Sequence, residues 1–211
     1  MSRSTSCSFT CPCGTVYTSP VYEYVNVAHD PSLRYTILAG LLNVSTCPTC
    51  GRRAALARPF IYSDPSYALL AYVHPSANVP DEARMLILEK LRDVYMDAGE
   101  TTVNVSSSTT ATASATEERD LPNLHVLFGL DQLNELISAA VSPDDRLGRL
   151  ALSTYSRDEA ERGQMLDIAR KLASEMECQV EVEDEGAEYT VWLYGSRRQI
   201  GALMRELAPR G

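Results

Sequence analysis

Cys11-Pro12-Cys13-Gly14 and Cys47-Pro48-Thr49-Cys50-Gly51 are the two stretches from which the rest of this chain can be read. Each carries two thiols on a tight turn closed by glycine. Two pairs of thiolates from distant points in a chain are the donor set that a tetrahedral Zn²⁺ requires, four soft ligands at about 2.3 Å from the metal. In the Cys-x-x-Cys-Gly pattern, backbone N–H groups can point at the sulfurs and offset their charge, and glycine permits the left-handed backbone that closes the turn. The second stretch fits this pattern directly. The first is one residue short. The sequence therefore predicts a four-thiolate site of Cys11, Cys13, Cys47 and Cys50, with Cys7 in place of one of them as the alternative. Cys178, between a predicted helix and strand, is expected to be a small buried hydrophobe.

The reading of clustered cysteines as metal ligands depends on the compartment. The first ten residues are polar, with a single Arg3 and no apolar stretch, so no secretory signal is expected and the chain should remain in the reducing cytoplasm. Clustered thiols there are metal ligands or redox centres rather than disulfides, and the Asn43 and Asn104 sequons carry no weight. No apolar run reaches the roughly 18 to 20 residues of a membrane helix, so no membrane partner is expected.

The 211 residues, 45% hydrophobic and 22% charged, suit one or two globular domains. The net charge of −9 is unevenly placed: residues 1–98 carry 8 basic and 8 acidic side chains, residues 99–211 carry 11 and 20. An acidic second half repels a phosphate backbone, which argues against nucleic acid as a partner.

Outward from the cysteines, Thr15 to Val27 is rich in β-branched and aromatic residues and predicts two strand segments with a kink or edge at Pro20. Asp30-Pro31 predicts a helix start with Asp30 as its cap and Leu33, Ile37, Leu38 and Leu41 facing inward. Arg52 to Ile61 and Tyr67 to Val73 predict strands joined through the turn chemistry of Ser63-Asp64-Pro65-Ser66. A helix is expected at 81–97, capped by Asp81, with Met85, Leu88, Leu91, Val94 and Tyr95 at helical spacing. From Glu100 the composition turns to Ser, Thr and Ala, which cannot bury enough surface to offset ordering entropy. Leu124 to Phe128 predicts a strand and 131–141 a helix. Ser142-Pro143-Asp144-Asp145 suggests a short helix near 143–152, with a strand over Leu150 to Tyr155 as the alternative. A long helix from Arg157, a hairpin over 179–194 and a final helix from Ser196 complete the chain.

The N-terminal half resembles the bacterial CpXC family. The resemblance rests on Thr10-Cys11-Pro12-Cys13-Gly14, on Val25-Asn26-Val27 followed by Asp30-Pro31-Ser32-Leu33, and on Leu42-Asn43-Val44 ahead of Thr46-Cys47-Pro48-Thr49-Cys50-Gly51. Arg58-Pro59-Phe60-Ile61-Tyr62 with Asp64, and Val126-Leu127-Phe128-Gly129-Leu130 within Leu124 to Ile137, extend it over about residues 5–97 and 121–145. The resemblance implies a zinc-binding domain of uncharacterised biochemical function. The chain departs from the family in the shortened first cysteine pair and in the Ser/Thr-rich insertion.

Taken together, the sequence predicts an α+β protein. A zinc-ribbon-like domain with antiparallel strands and helices is expected over 5–145, interrupted by a disordered insertion at 100–119, and a smaller C-terminal α+β unit over 150–208. Four thiolates close the coordination shell, whereas a catalytic zinc keeps an open position, so the expected role is a non-enzymatic interaction or regulatory module with a protein partner. The competing reading is a cytoplasmic enzyme, a thiol redox protein or a hydrolase with its site between the two parts. A redox Cys-x-x-Cys would want a βαβ context, and Cys50 is followed by Gly51 and a strand-like run. His29, His74 and His125 lack companions that would mark them as bases, and no phosphate-binding glycine loop or nucleophile elbow is present.

Overall fold

The structure, a computed structural model, describes residues 1–103 and 124–207. In chain order these form β1 (Arg3–Thr10), β2 (Val16–Asn26), α1 (Ser32–Leu38), β3 (Val44–Thr46), β4 (Arg53–Ala55), β5 (Phe60–Asp64), β6 (Leu69–His74), α2 (Asp81–Val103), β7 (Leu124–Phe128), α3 (Leu130–Ala140), β8 (Leu147–Thr154), α4 (Glu159–Met176), β9 (Gln179–Asp184), β10 (Tyr189–Ser196) and α5 (Arg197–Leu207). The class is α+β, as the sequence predicts. The first sheet is mixed, in the order β1-β2-β5-β6-β7. β1–β2 and β5–β6 are antiparallel hairpins, while β2–β5 and β6–β7 pair in parallel.

One face of this sheet is covered by α1 and α3. Phe60, Tyr62 and Asp64 on β5 and Leu69, Ala71 and Val73 on β6 alternate inward, as a half-buried pleat demands. They meet Leu33 and Ile37 of α1 and Leu133 and Ile137 of α3 in a single core. A second sheet, β8-β10-β9, is wholly antiparallel. Its inner face packs Val191 and Leu193 against Ala169 and Ala173 of α4 and Ile200 and Leu203 of α5 in a separate core.

α1 lies between the two sheets. It packs on the first through Leu33 and Ile37 and reaches β9 and β10 of the second, so that Arg34, Tyr35 and Thr36 are buried as well. Arg34 is satisfied internally. Its Nε and Nη2 donate to Oδ2 of the fully buried Asp64 at 2.9 and 2.6 Å, and the Tyr62 hydroxyl donates to the same oxygen at 3.0 Å. Burial opposes the guanidinium charge, but Asp64 outweighs it and raises the Arg34 pKa. Burial, then the carboxylate beside it, pushes the Tyr62 hydroxyl well above its ordinary value. Arg34 also stacks over the Tyr67 ring, 5.0 Å from its centroid. Tyr67 in turn donates to Asp145 at 3.0 Å, and Asp145 accepts from Arg198 of α5 at 2.8 Å.

Several expectations are corrected. Residues 3–10, for which the sequence predicts no element, form β1, whose small polar side chains suit an exposed edge. The two segments expected around Pro20 are one strand, β2, with Pro20 facing Ser6 of β1; the expected edge is present, since over this stretch β2 has a neighbour on one side only, where proline is tolerated. Asp30 does not cap α1. Its carboxylate accepts from the Ser2 backbone at 2.9 Å instead, and hydrogen bonding to the Ser2 side chain and then its backbone holds the Asp30 pKa below the usual range. The single strand expected over 52–61 is two, β4 and β5. Helix α2 exists, but Met85, Leu88 and Val94 are exposed on it. It also continues to Val103, through four residues assigned to the insertion; residues 104–119 of that insertion lie outside the described residues. The short helix near 143–152 is a single 3₁₀ turn at Pro143–Asp145, capped by Ser142; the alternative strand is the one present, as β8, and it supplies the third strand of the second sheet. Ile168 of α4 and Val182 of β9 are exposed, although each sits in an apolar pattern of its element.

The Arg34–Asp64 pair yields a prediction. Asp64→Ala leaves a buried guanidinium without its counter-charge, and a loss of about 3–5 kcal/mol in urea unfolding is expected. Because the carboxylate is buried among apolar neighbours, Asp64→Leu with Arg34→Met should recover most of that loss.

Candidate metal centre

The two cysteine stretches sit at the tips of two hairpins. In the first, the strands β1 and β2 are joined by 11–15; the Cys11 N–H donates to the Thr15 carbonyl and the Gly14 N–H to the Cys11 carbonyl, both at 2.8 Å. In the second, the short strands β3 and β4 are joined by 47–52; Cys47 N–H bonds the Arg52 carbonyl at 2.9 Å and Gly51 N–H the Cys47 carbonyl at 3.0 Å. Gly14 and Gly51 take φ of +90° and +69°, the left-handed backbone that a side chain would strain. The shorter first pair thus closes as a tighter turn, with glycine in the equivalent place.

The hairpin tips face each other. Cys11 Sγ lies 3.5 Å from Cys50 Sγ, and Cys13 Sγ lies 3.7 Å from Cys47 Sγ. All four sulfurs fall within 4.8 Å of one another. Four ligands at about 2.3 Å from a common centre stand about 3.8 Å apart along the edges of a regular tetrahedron. The four cysteines are therefore close enough to hold a metal ion, and the two cross-tip distances match that edge. Cys11 and Cys47 are buried, Cys13 and Cys50 exposed. Cys7, the alternative, lies on β1 opposite Ser19 and is not one of the four clustered sulfurs. Cys178 is half-buried just before β9, where burial pushes its thiol up.

The environment divides the four thiols electrostatically. At Cys11 the hydrogen bond from the Cys13 backbone favours the thiolate, but burial and the bonds to the sulfurs of Cys13, Cys50 and Cys47 outweigh it, and the thiol is pushed up to about 12. Cys13 is drawn down to about 6 by hydrogen bonds to the side chain and then the backbone of Thr15, with Cys11 adding to them. At Cys47 burial works against ionisation, yet the backbone N–H groups of Cys50 and Thr49 prevail and lower its pKa. A second hydroxyl completes the picture: Thr15 Oγ1 and Thr49 Oγ1 are 2.9 Å apart and tie the two tips together. Neither threonine is singled out from the sequence; Thr15 stands two residues past the second cysteine of its turn and Thr49 two residues past the first cysteine of its own, so no common spacing marks them.

None of the three histidines joins the cluster. His74 is engaged with Ser76, its Nδ1 at 3.2 Å from the Ser76 carbonyl, and its ring is tilted against Phe128. Beside the second tip runs an open groove of about 780 Å³ between the β3–β4 hairpin and β9. Val44, Thr46, Gly51 and Arg53 form one wall, and the acidic side chains from Glu181 to Glu185 form the other. Among the described residues no cysteine, histidine or serine lines it. Arg53 pairs with Glu181 across it. No helix among the described residues is long and apolar enough to cross a membrane.

Comparison with known proteins bears on the same region. The model of the family described as CpXC protein matches residues 9–149, a span that takes in both cysteine turns. Comparison with curated proteins and with solved structures returns no match.

The thiol environments predict an order of reactivity. In metal-free protein at neutral pH, Cys13 is exposed and already a thiolate, since its titration near pH 6 lies below that of an ordinary thiol, whereas Cys11 still holds its proton. Limited alkylation followed by peptide mass mapping should find Cys13 modified first and Cys11 last, and Thr15→Val should shift the Cys13 rate profile toward higher pH.

Proposed function

The chain belongs to the CpXC family, and from that premise we propose that it is a structural-zinc module without catalytic activity of its own, one that presents a surface to a protein partner. The observation that carries this reading is the spacing of the four sulfurs, 3.5 and 3.7 Å for the two closest pairs across the tips. Zinc is the ion that an all-thiolate tetrahedron favours among common divalent metals in a reducing compartment. Cys11, Cys13, Cys47 and Cys50 would hold it and complete its shell, leaving no position for water or substrate. The zinc would supply folding free energy, on the order of 10 kcal/mol by analogy with zinc-finger peptides.

The main hydrophobic core contains none of the cysteines. The benefit of the metal therefore falls on the two hairpin tips and on the groove wall formed by β3 and β4. That placement supports a scaffold role: the ion holds a surface in shape and takes no part in chemistry there. The acidic second half, net −9 over residues 99–211, supports a protein partner over a nucleic acid.

Metal analysis tests the reading directly. Purified protein is expected to carry one zinc per chain, and Cys47→Ser to lose it. Chelation should lower the melting temperature and speed amide exchange at residues 11–15 and 44–55, with the β5–β6 core amides less affected. Zinc added back at neutral pH should release protons, because Cys11 binds one until about pH 12 and must lose it to coordinate; apparent affinity then falls as pH is lowered. A chain that binds no metal, or one that keeps its full melting transition after the metal is removed, overturns the proposal.

A further inference from the structure

Helix α2 contributes no side chain to either hydrophobic core among the described residues. It is attached at its first turn through Arg84, whose Nη2 donates to the Ala77 carbonyl at 2.7 Å and whose guanidinium lies 4.9 Å from the centre of the Phe128 ring. Beyond that anchor it carries bulky apolar residues into solvent: Met85 and Leu86 are each 58% exposed, Leu88 39% and Val94 67%. A helix with such a face is unstable alone in water, since most helical stability comes from packing an apolar stripe.

The exposed positions form a pattern. Asp81, Met85, Leu88 and Arg92, all exposed, are spaced four, three and four residues apart, the seam of a two-stranded coiled coil. The seam is also self-complementary on reversal: acid, apolar, apolar, base in one direction, base, apolar, apolar, acid in the other. We propose that this face binds a second copy of the chain, α2 against α2 in antiparallel orientation, with the two-fold axis between Leu86 and Ile87. Met85 then packs on Leu88 of the second copy, and Asp81 meets Arg92 of the second copy at both ends. A parallel pair would oppose Asp81 to Asp81 and Arg92 to Arg92, so the charges select the antiparallel arrangement. Among the described residues Arg92 has no stronger partner to give up for this contact. Its present neighbour, Asp93 at 3.4 Å, is an exposed residue on the same helix, a contact of little energy. Because the two-fold operation repeats each contact, the face is isologous and closes at two copies.

Sedimentation equilibrium on the full chain tests this. The wild-type chain is expected to dimerise. Leu88→Glu should weaken the dimer by roughly a hundredfold or more, since a carboxylate from each copy would be buried at the centre, and thermal unfolding should change little because Leu88 touches neither core. Asp81→Arg and Arg92→Asp should each weaken the dimer roughly tenfold, turning two attractions into repulsions. Combined in one chain, they should restore it, because the reversed seam is again self-complementary. A monomeric wild type, a dimer indifferent to Leu88→Glu, or a double variant as weak as the single ones overturns the proposal. Each of these results is independent of the metal content of the protein.

Discussion

A seven-residue helix enclosed between two sheets can carry a charge only if the opposite charge comes with it. α1 meets that constraint through Arg34 and the wholly buried Asp64, with Tyr62 bonded to the same carboxylate oxygen. The pair links the helix to the centre of the first sheet. From Arg34 the contacts run on through the Tyr67 ring to Asp145 and so to Arg198 at the start of α5. Thr36, two residues along α1, lies 3.4 Å from Gln179 at the start of β9. The two sheets are thus related by polar groups with defined directions, and a hydrogen-bonded pair of this kind fixes orientation better than an apolar contact of equal area would. A buried pair is a poor source of net stability; its value here is in setting how α1 sits.

The cysteine cluster depends on a different kind of placement. Each tip is a turn closed by a glycine in the left-handed region, and each is carried by a two-stranded ribbon rather than by the main core. Two ribbons meeting only at their ends have little apolar surface to share. What joins them is chemistry: four sulfurs, the Thr15–Thr49 hydroxyl contact, and backbone N–H groups turned toward sulfur. Four thiolates this close repel unless a cation lies among them, and with protons alone the sulfurs are unequal: the Thr15 bonds hold Cys13 near 6, while burial and the neighbouring sulfurs push Cys11 up to about 12 against the Cys13 backbone bond.

Much of this was legible in the amino-acid order. The cysteine turns, the hairpin at 60–74, α3 and the final β9–β10–α5 run all announce themselves by local signals: turn residues, alternation, and caps that act within a few positions. The misses share one cause, which is that the deciding partner is far away in the chain. β1 looks like a polar tail because its side chains are small and exposed; only pairing with β2 makes it a strand. Asp30 looks like a helix cap, but Ser2 reaches it first. Ser142-Pro143 does begin a helical turn, and then the edge of β10 draws residues 147–154 into a strand. Helix α2 was the opposite case, with a periodic stripe correctly read as helical whose Met85, Leu88 and Val94 lie exposed. Periodicity reveals that a face is apolar, and is silent on what covers it.

The parallel pairing of β6 with β7 has a further consequence. His74 and Phe128 stand side by side in the sheet, although all of α2 and the Ser/Thr-rich stretch lie between them in the chain. The entropic cost of closing such a loop grows only with the logarithm of its length, about 0.6 kcal/mol for each doubling. Once the sheet tolerates one long excursion at this edge, further lengthening is nearly free. The β6–β7 connection is therefore where chains of this architecture can gain or lose sequence most readily. A foreign segment spliced into that stretch should leave the cysteine tips as they are, since one is carried at the far end of the sheet's strand order and the other by the separate β3–β4 ribbon.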